Sequence, residues 1–357
     1  MLKAYKYRLY PDKEQIEFIN KTIGCARFIY NKMLGDKIEY YKETKKMLKN
    51  TPSQYKKEYE WLKEVDSLAL ANAQMNLDKA YKNFFRDTKA GFPKFKSKKK
   101  SSNSYTTNNQ KGTVYIENGY IKVPKLKTKI RIKQHRNFVG EIKSCTISKT
   151  KTNKYYISIL VDIDIKPLPK RDNKVGIDLG LKEFTICSDG YRVPNPKFLR
   201  STEKCIKFLQ RSLSRKQKGS SNRDKARLKL AKAYEKLTNQ RKDFLHKLSA
   251  KLINENQVLV IEDLKVSNMV KNHKLAKAIS EVSWYEFRTL LTYKAQWYGR
   301  ELIIAPGNYA SSQLCHVCGY KNADVKNLGL RAWKCPCCNT EHDRDMNASY
   351  NLLKLAI

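Results

Sequence analysis

Cys315-x-x-Cys318 and Cys335-x-x-Cys338 stand sixteen residues apart, and no other feature of the chain fixes a local fold so tightly. Each pair turns two thiolates back through a knuckle, and a hairpin between the pairs brings four sulfurs into the tetrahedral geometry of structural zinc. Gly319 and Asn339 follow the pairs, and both tolerate the left-handed backbone such a knuckle uses. All-thiolate zinc leaves no open position, so this metal stabilises and does not catalyse. Cys337 is a spare thiol inside the second pair.

Seven residues beyond Cys338 comes Asp345, in the run His342-Asp343-Arg344-Asp345-Met346-Asn347-Ala348. Two further acids stand at apolar runs that read as buried strands: Asp178 in Val175-Gly176-Ile177-Asp178-Leu179-Gly180, and Glu262 after Val258-Leu259-Val260-Ile261. An uncompensated carboxylate there costs several kcal/mol, which a cation or hydrogen bonds must offset. Oxygen-only ligands suit Mg²⁺ or Mn²⁺, and a pair of such ions about 4 Å apart serves phosphodiester hydrolysis. Taken singly, each acid has an ordinary reading: Asp178 caps a turn, Glu262 pairs with a lysine, and Asp343 or Asp345 caps the last helix.

The 357 residues suffice for two or three domains. Lys and Arg number 73 against 34 Asp and Glu, a formal net charge of +39. Self-repulsion on that scale calls for a polyanionic partner, and nucleic acid fits better than membrane because no run of about 18 apolar residues exists. Nine cysteines, four of them at metal spacing, and an N-terminus without an apolar leader point to a reduced, cytoplasmic protein.

Residues 4–10 alternate like a strand and stop at Pro11-Asp12; helical periodicity follows, with a second helix expected from about Leu68 to Phe85. Lys94 and Lys96 lie in a basic, aromatic-interleaved segment that leads to Tyr105, Thr106, Thr107 and Asn108, side chains suited to phosphate, stacking and base-edge contacts. Short strands between Thr113 and Asp164 are expected to close with the first strand into a barrel. The prolyl linker Lys166–Asp172 starts a new pattern: a hairpin carrying Asp178, two long basic helices broken at 218–222, a strand ending in Glu262, a mobile segment, and a helix from Trp284 to Tyr298. Arg211, Arg215, Lys216, Arg223, Arg227 and Arg241 lie on the basic helices, whose nearly one-signed charge repels itself unless phosphates are adjacent.

The ordered set Gly176-Ile177-Asp178-Leu179-Gly180, Ile261-Glu262-Asp263-Leu264, Ser311-Ser312-Gln313-Leu314-Cys315-His316-Val317-Cys318-Gly319, Trp333-Lys334-Cys335 and Asp343-Arg344-Asp345-Met346-Asn347-Ala348 resembles TnpB, the family of transposon-encoded RNA-guided nucleases related to type V CRISPR effectors. The resemblance implies an α+β multidomain fold. A small wedge-like β-barrel (1–10 and 106–168) carries an inserted helical recognition domain (11–105). An RNase H-like, RuvC-type α/β domain (174–310 and 341–357) carries a four-cysteine zinc-ribbon insert (311–340) that binds target nucleic acid. It further implies a transposon-derived guide RNA, single- and double-stranded DNA targets beside a short adjacent motif, Mg or Mn at Asp178, Glu262 and Asp345, and structural zinc. Asp343 becomes a helix cap and Arg344 a phosphate or structural contact. The segment after Glu262 becomes a lid, and Gln74 joins residues 105–108 as a reader of the adjacent motif. A transposase encoded by the same element is a further expected partner, and the protein is expected in a prokaryotic cytoplasm, on the nucleoid when bound to DNA. The competing readings are an RNA-guided repressor that does not cut, an accessory transposase, and a plain RNA-binding protein.

Overall fold

The computed structural model describes every residue except Lys100, Lys274, Leu328 and Ile357. The chain forms two compact units, Met1–Asp164 and Ile165–Ile357, which meet in sequence just before the prolyl linker.

In the first unit, β1 (Leu2–Tyr10) runs into α1 (Lys13–Thr44). Asp12 starts that helix by accepting the Gln15 amide at 2.9 Å, while the Gln15 side chain accepts the Asp12 amide at 3.1 Å, a reciprocal cap. The helices α2 (Pro52–Glu58) and α3 (Ser67–Arg86) follow, and Ile29, Met33, Leu34, Leu62, Leu70 and Leu77 form the core among them. The remaining strands are β2 (Ser104–Asn108), β3 (Tyr115–Glu117), β4 (Tyr120–Lys122), β5 (Ile130–Lys133), β6 (Glu141–Lys149) and β7 (Tyr155–Asp162). They join β1 in one antiparallel sheet of order β2-β6-β7-β1-β5-β4-β3. The expected barrel is therefore an open sheet by hydrogen bonding, with β2 and β3 at its ends. At one end β3 and its neighbour β4 hold three residues each, too short a ladder to close onto β2.

In the second unit, β8 (Lys174–Leu179), β9 (Glu183–Cys187), β10 (Arg192–Pro194), β11 (Val258–Glu262) and β12 (Glu301–Ala305) form a mixed sheet of order β10-β9-β8-β11-β12. β11 runs parallel to both β8 and β12, whereas β8, β9 and β10 are antiparallel neighbours. Between β10 and β11 lie the long helices α4 (Phe198–Ser214) and α5 (Ser221–Glu255), with the expected break between them. The helices α6 (Val266–Met269), α7 (Ala276–Val282) and α8 (Trp284–Tyr298) precede β12, and α8 stops at Gly299 in the left-handed conformation. The short hairpin β13 (Ala332–Lys334) and β14 (Glu341–Asp343) leads into α9 (Arg344–Leu353).

Alternation along the strands sorts the sheet into two faces. Val175 and Ile177 of β8 and Leu259 and Ile261 of β11 pack against Leu245 and Leu252 of α5 and Phe287 and Leu291 of α8. Their alternate neighbours, Gly176 and Asp178, Val260 and Glu262, take the opposite face, where Val260 packs with Leu352 of α9. The segment after Glu262, expected to be mobile, carries two short helices, and Val266 and Met269 of the first, with Val270 and Leu275 between them, pack against the main core.

Candidate active site and zinc knuckles

The parallel register pairs Gly176 with Val260 and Ile177 with Ile261. One residue further along both strands, Asp178 and Glu262 become neighbours on the face covered by α9. Asp343 caps α9 by accepting the amides of Asp345 at 3.1 Å and Met346 at 2.9 Å, so Asp345 occupies the first turn. Two adjacent strands and one helix start thus bring the three expected acids to one side of the sheet.

Electrostatics record the convergence. Burial, then the charges of Glu262 and Asp345, hold the Asp178 carboxyl well above the usual carboxylate range, opposed by Arg344 and Arg331. Burial also raises Glu262, against the pull of a Ser311 hydrogen bond and Arg344, with Asp345 adding to the rise. The Arg331 guanidinium donates to both Asp345 oxygens at 3.1 Å. Carboxylates gathered this way repel one another, a repulsion that a cation relieves, and an all-oxygen donor set suits a hard divalent ion. Buried Arg344 donates to the Asn327 carbonyl at 3.1 Å, a structural bond in addition to its pull on the acids.

Sequence reasoning gave no role to the polar residues that support this trio. The Ser311 hydroxyl donates to Glu262 Oε1. Buried Asn347 and Asn351 lie one turn apart on α9 and donate to the Leu314 carbonyl, each at 2.6 Å. Two asparagines at i and i+4, flanking Ala348 and Leu352 on one face of the helix, were the available signal, because buried amides require partners.

Among the described residues, one group of His, Cys, Asp or Glu side chains is already drawn together at metal-ligand spacing: Cys315, Cys318, Cys335 and Cys338, whose sulfurs all lie within 4.8 Å of one another. The Cys315–Cys338 and Cys318–Cys335 sulfur pairs are 3.6 Å apart, against about 3.8 Å for a tetrahedron with Zn–S bonds of about 2.3 Å. Matching knuckle bonds close each pair: Gly319 N–H to the Cys315 carbonyl and Asn339 N–H to the Cys335 carbonyl, both 2.9 Å. Gly319 and Asn339 adopt φ of 79° and 60°, the left-handed turns expected. Thr340 bonds to Cys338 pull that thiol down to about 6, and His342 Nε2 lies 3.1 Å from Cys315 Sγ. Cys337 is exposed outside the group.

The expected nucleic-acid residues divide. Tyr105 and Thr107 are buried on the inner face of β2, a correction that strand alternation explains, because contact residues at 105–108 cannot all share one face. Thr106 is half-buried with its hydroxyl 2.8 Å from that of Thr146, Asn108 is half-buried, and Gln74 is half-buried on α3. Lys94 is exposed, but Lys96 is half-buried with its ammonium 3.8 Å from the Tyr30 ring centre. Arg211, Arg215, Lys216 and Arg227 are exposed on α4, its end and α5. Arg223 instead donates to the carbonyls of Leu213 at 3.0 Å and Lys216 at 2.6 Å, clamping the turn between those helices. Arg241 is half-buried.

Comparison with known proteins adds the family. Residues 156–273 match the family described as "Probable transposase", and residues 284–352 match the "Cas12f1-like, TNB domain". Residues 1–46 match a "Helix-turn-helix domain", although here they form β1 and the single helix α1. A Streptomyces pristinaespiralis protein named "Putative RNA-guided DNA endonuclease" is 39% identical over 98% of this chain and 88% of its own length. Escherichia coli K12 "Putative RNA-guided DNA endonuclease InsQ" is 31% identical over 99% and 92%. The fold is similar to that in the "Cryo-EM structure of the Cas12f1-sgRNA-target DNA complex", with a TM-score of 0.63 at 14% identity over 99% of this chain and 98% of the other. End-to-end identity with these relatives, on top of the motifs carried by both strand acids and both knuckles, places the chain in the TnpB family.

Proposed function

We propose that this protein is an RNA-guided DNA endonuclease that hydrolyses phosphodiester bonds with divalent cations held by Asp178, Glu262 and Asp345. The observation that carries the reading is the convergence of three carboxyls, two with raised pKa, from β8, β11 and α9 on one sheet face. Mg²⁺ or Mn²⁺ bound there supplies Lewis-acid stabilisation of the attacking and leaving oxygens. Asp178, Glu262 and Asp345 would together hold the cations through their carboxylate oxygens. Asp343 holds the helix start that presents Asp345, and Arg344 and Arg331 balance the charge of the trio.

On this reading the first unit comprises the wedge-like sheet and the helical recognition insert, and the second the RuvC-like nuclease with its zinc-ribbon insert. The guide RNA and target DNA are the polyanions that the +39 charge answers, and pairing with the guide selects the target. The helices after Glu262 act as the lid. No helix among the described residues is long and apolar enough to cross a membrane.

Purifying the protein with its bound RNA, sequencing that RNA, and offering matching DNA with and without Mg²⁺ tests the proposal. Cleavage that needs Mg²⁺ and vanishes in Asp178→Ala, with guide and target binding retained, is the expected result. Binding without any product would identify the repressor instead.

A further inference from the structure

We propose that Ser311 is a positioning residue that aims the Glu262 carboxylate at its cation, an inference that rests on Glu262 being a cation ligand. Glutamate has three rotatable side-chain bonds, so a carboxylate at the end of β11 does not aim itself. The buried Ser311 hydroxyl donates to Glu262 Oε1 and so engages one of the two carboxylate oxygens. Ser311 is in turn fixed from α9: the Asn351 amide donates to the Ser311 carbonyl at 2.8 Å, and the Tyr309 hydroxyl donates to the Asn351 carbonyl at 2.9 Å. One turn earlier, Asn347 accepts the His316 amide at 2.9 Å. The helix that presents Asp345 thereby also sets the loop that orients Glu262, and that loop runs directly into the first zinc knuckle. A hydroxyl fixed in this place holds one carboxylate oxygen and so restricts the rotations that would carry the other away from its cation.

The test uses the full, zinc-loaded chain stripped of nucleic acid at high salt, titrated with Mn²⁺ and read by electron paramagnetic resonance of the free ion. Ser311→Ala is expected to weaken Mn²⁺ binding by about tenfold or more, with zinc content and melting temperature unchanged, and Ser311→Thr to restore it. Cleavage by Ser311→Ala recovers at raised Mn²⁺. Wild-type affinity in Ser311→Ala overturns the proposal, as does a loss that Thr fails to repair or that comes with lost zinc. Asp178→Ala serves as the reference: if it binds Mn²⁺ as the wild type does, the carboxylate site itself is wrong and the role of Ser311 falls with it.

Discussion

A Cβ built on Gly176 would lie 2.1 Å from the Ser349 carbonyl oxygen and 2.5 Å from the Leu353 amide nitrogen, so α9 crosses β8 in backbone contact. Ser349 is one turn beyond Asp345, and Gly176 two residues before Asp178. This crossing therefore sets the height of one carboxylate above the other. Neither opposing atom belongs to a side chain that can rotate away. Gly176→Ala is expected to cost about 3 kcal/mol or more of stability and to lose cleavage beyond what lower stability explains, because α9 must lift. Melting curves with cleavage rates measured well below the transition check this; an alanine variant with native rates refutes it.

Asp178 makes the Mg²⁺-free protein sensitive to pH. Its folded carboxyl lies above the unfolded value, which is about 3.9 for aspartate. The folded state therefore binds the proton more tightly, and the stability linked to this group is fully present below the unfolded value and lost as pH rises through the folded one. Asp178→Asn should raise the melting temperature at pH 7 without Mg²⁺ and flatten its decline with pH, while abolishing cleavage. Added Mg²⁺ should stabilise the wild type and not the variant. Thermal scans from pH 4 to pH 8 decide the matter, and a variant less stable than the wild type without Mg²⁺ would falsify the electrostatic account.

Zinc removal reaches further than the knuckles. Because zinc-binding energy is folding energy, Cys315→Ser should lose bound zinc and several kcal/mol of local stability. The loop after Ser311 is tied to α9 through Asn347 and Asn351, so Mn²⁺ affinity at the carboxylates should drop in the same variant. Zinc analysis beside the Mn²⁺ titration measures both, and unchanged Mn²⁺ binding after zinc loss would show the two centres to be independent.

Exposed and engaged arginines should separate by salt dependence. Arg215→Ala is expected to flatten the log–log salt slope of RNA binding by roughly 0.7 to 0.9, the share of one phosphate contact. Arg223→Ala should leave the slope alone and lower thermal stability, since its guanidinium serves two backbone carbonyls. Filter binding across a salt series distinguishes them; equal slopes for Arg215→Ala and the wild type would remove Arg215 from the RNA surface.

Features encoded by short spacing were legible in the sequence. The cysteine pairs, the strands bearing Asp178 and Glu262, the break between α4 and α5, and the cap at Asp343 or Asp345 all depend on neighbours within a few residues. What escaped notice depends on distant packing. Which face of β2 turns inward is decided by β6 and α3, so Tyr105 and Thr107 read as contacts but are core. Asn347 and Asn351 gain meaning only once α9 lies against the Ser311–His316 loop. Strands of three residues such as β4 carry too little pattern to be seen.

The pairing of β1 with β7, register by register from Leu2–Asp162 to Leu9–Tyr155, also has a temporal side. On the ribosome, β1 waits until about 150 further residues have emerged before this ladder with β7 can form. Loops of that length close slowly, and an exposed strand is an invitation to wrong partners in the interval. β1 is thus the strand of the first unit left longest without its partners while synthesis is under way.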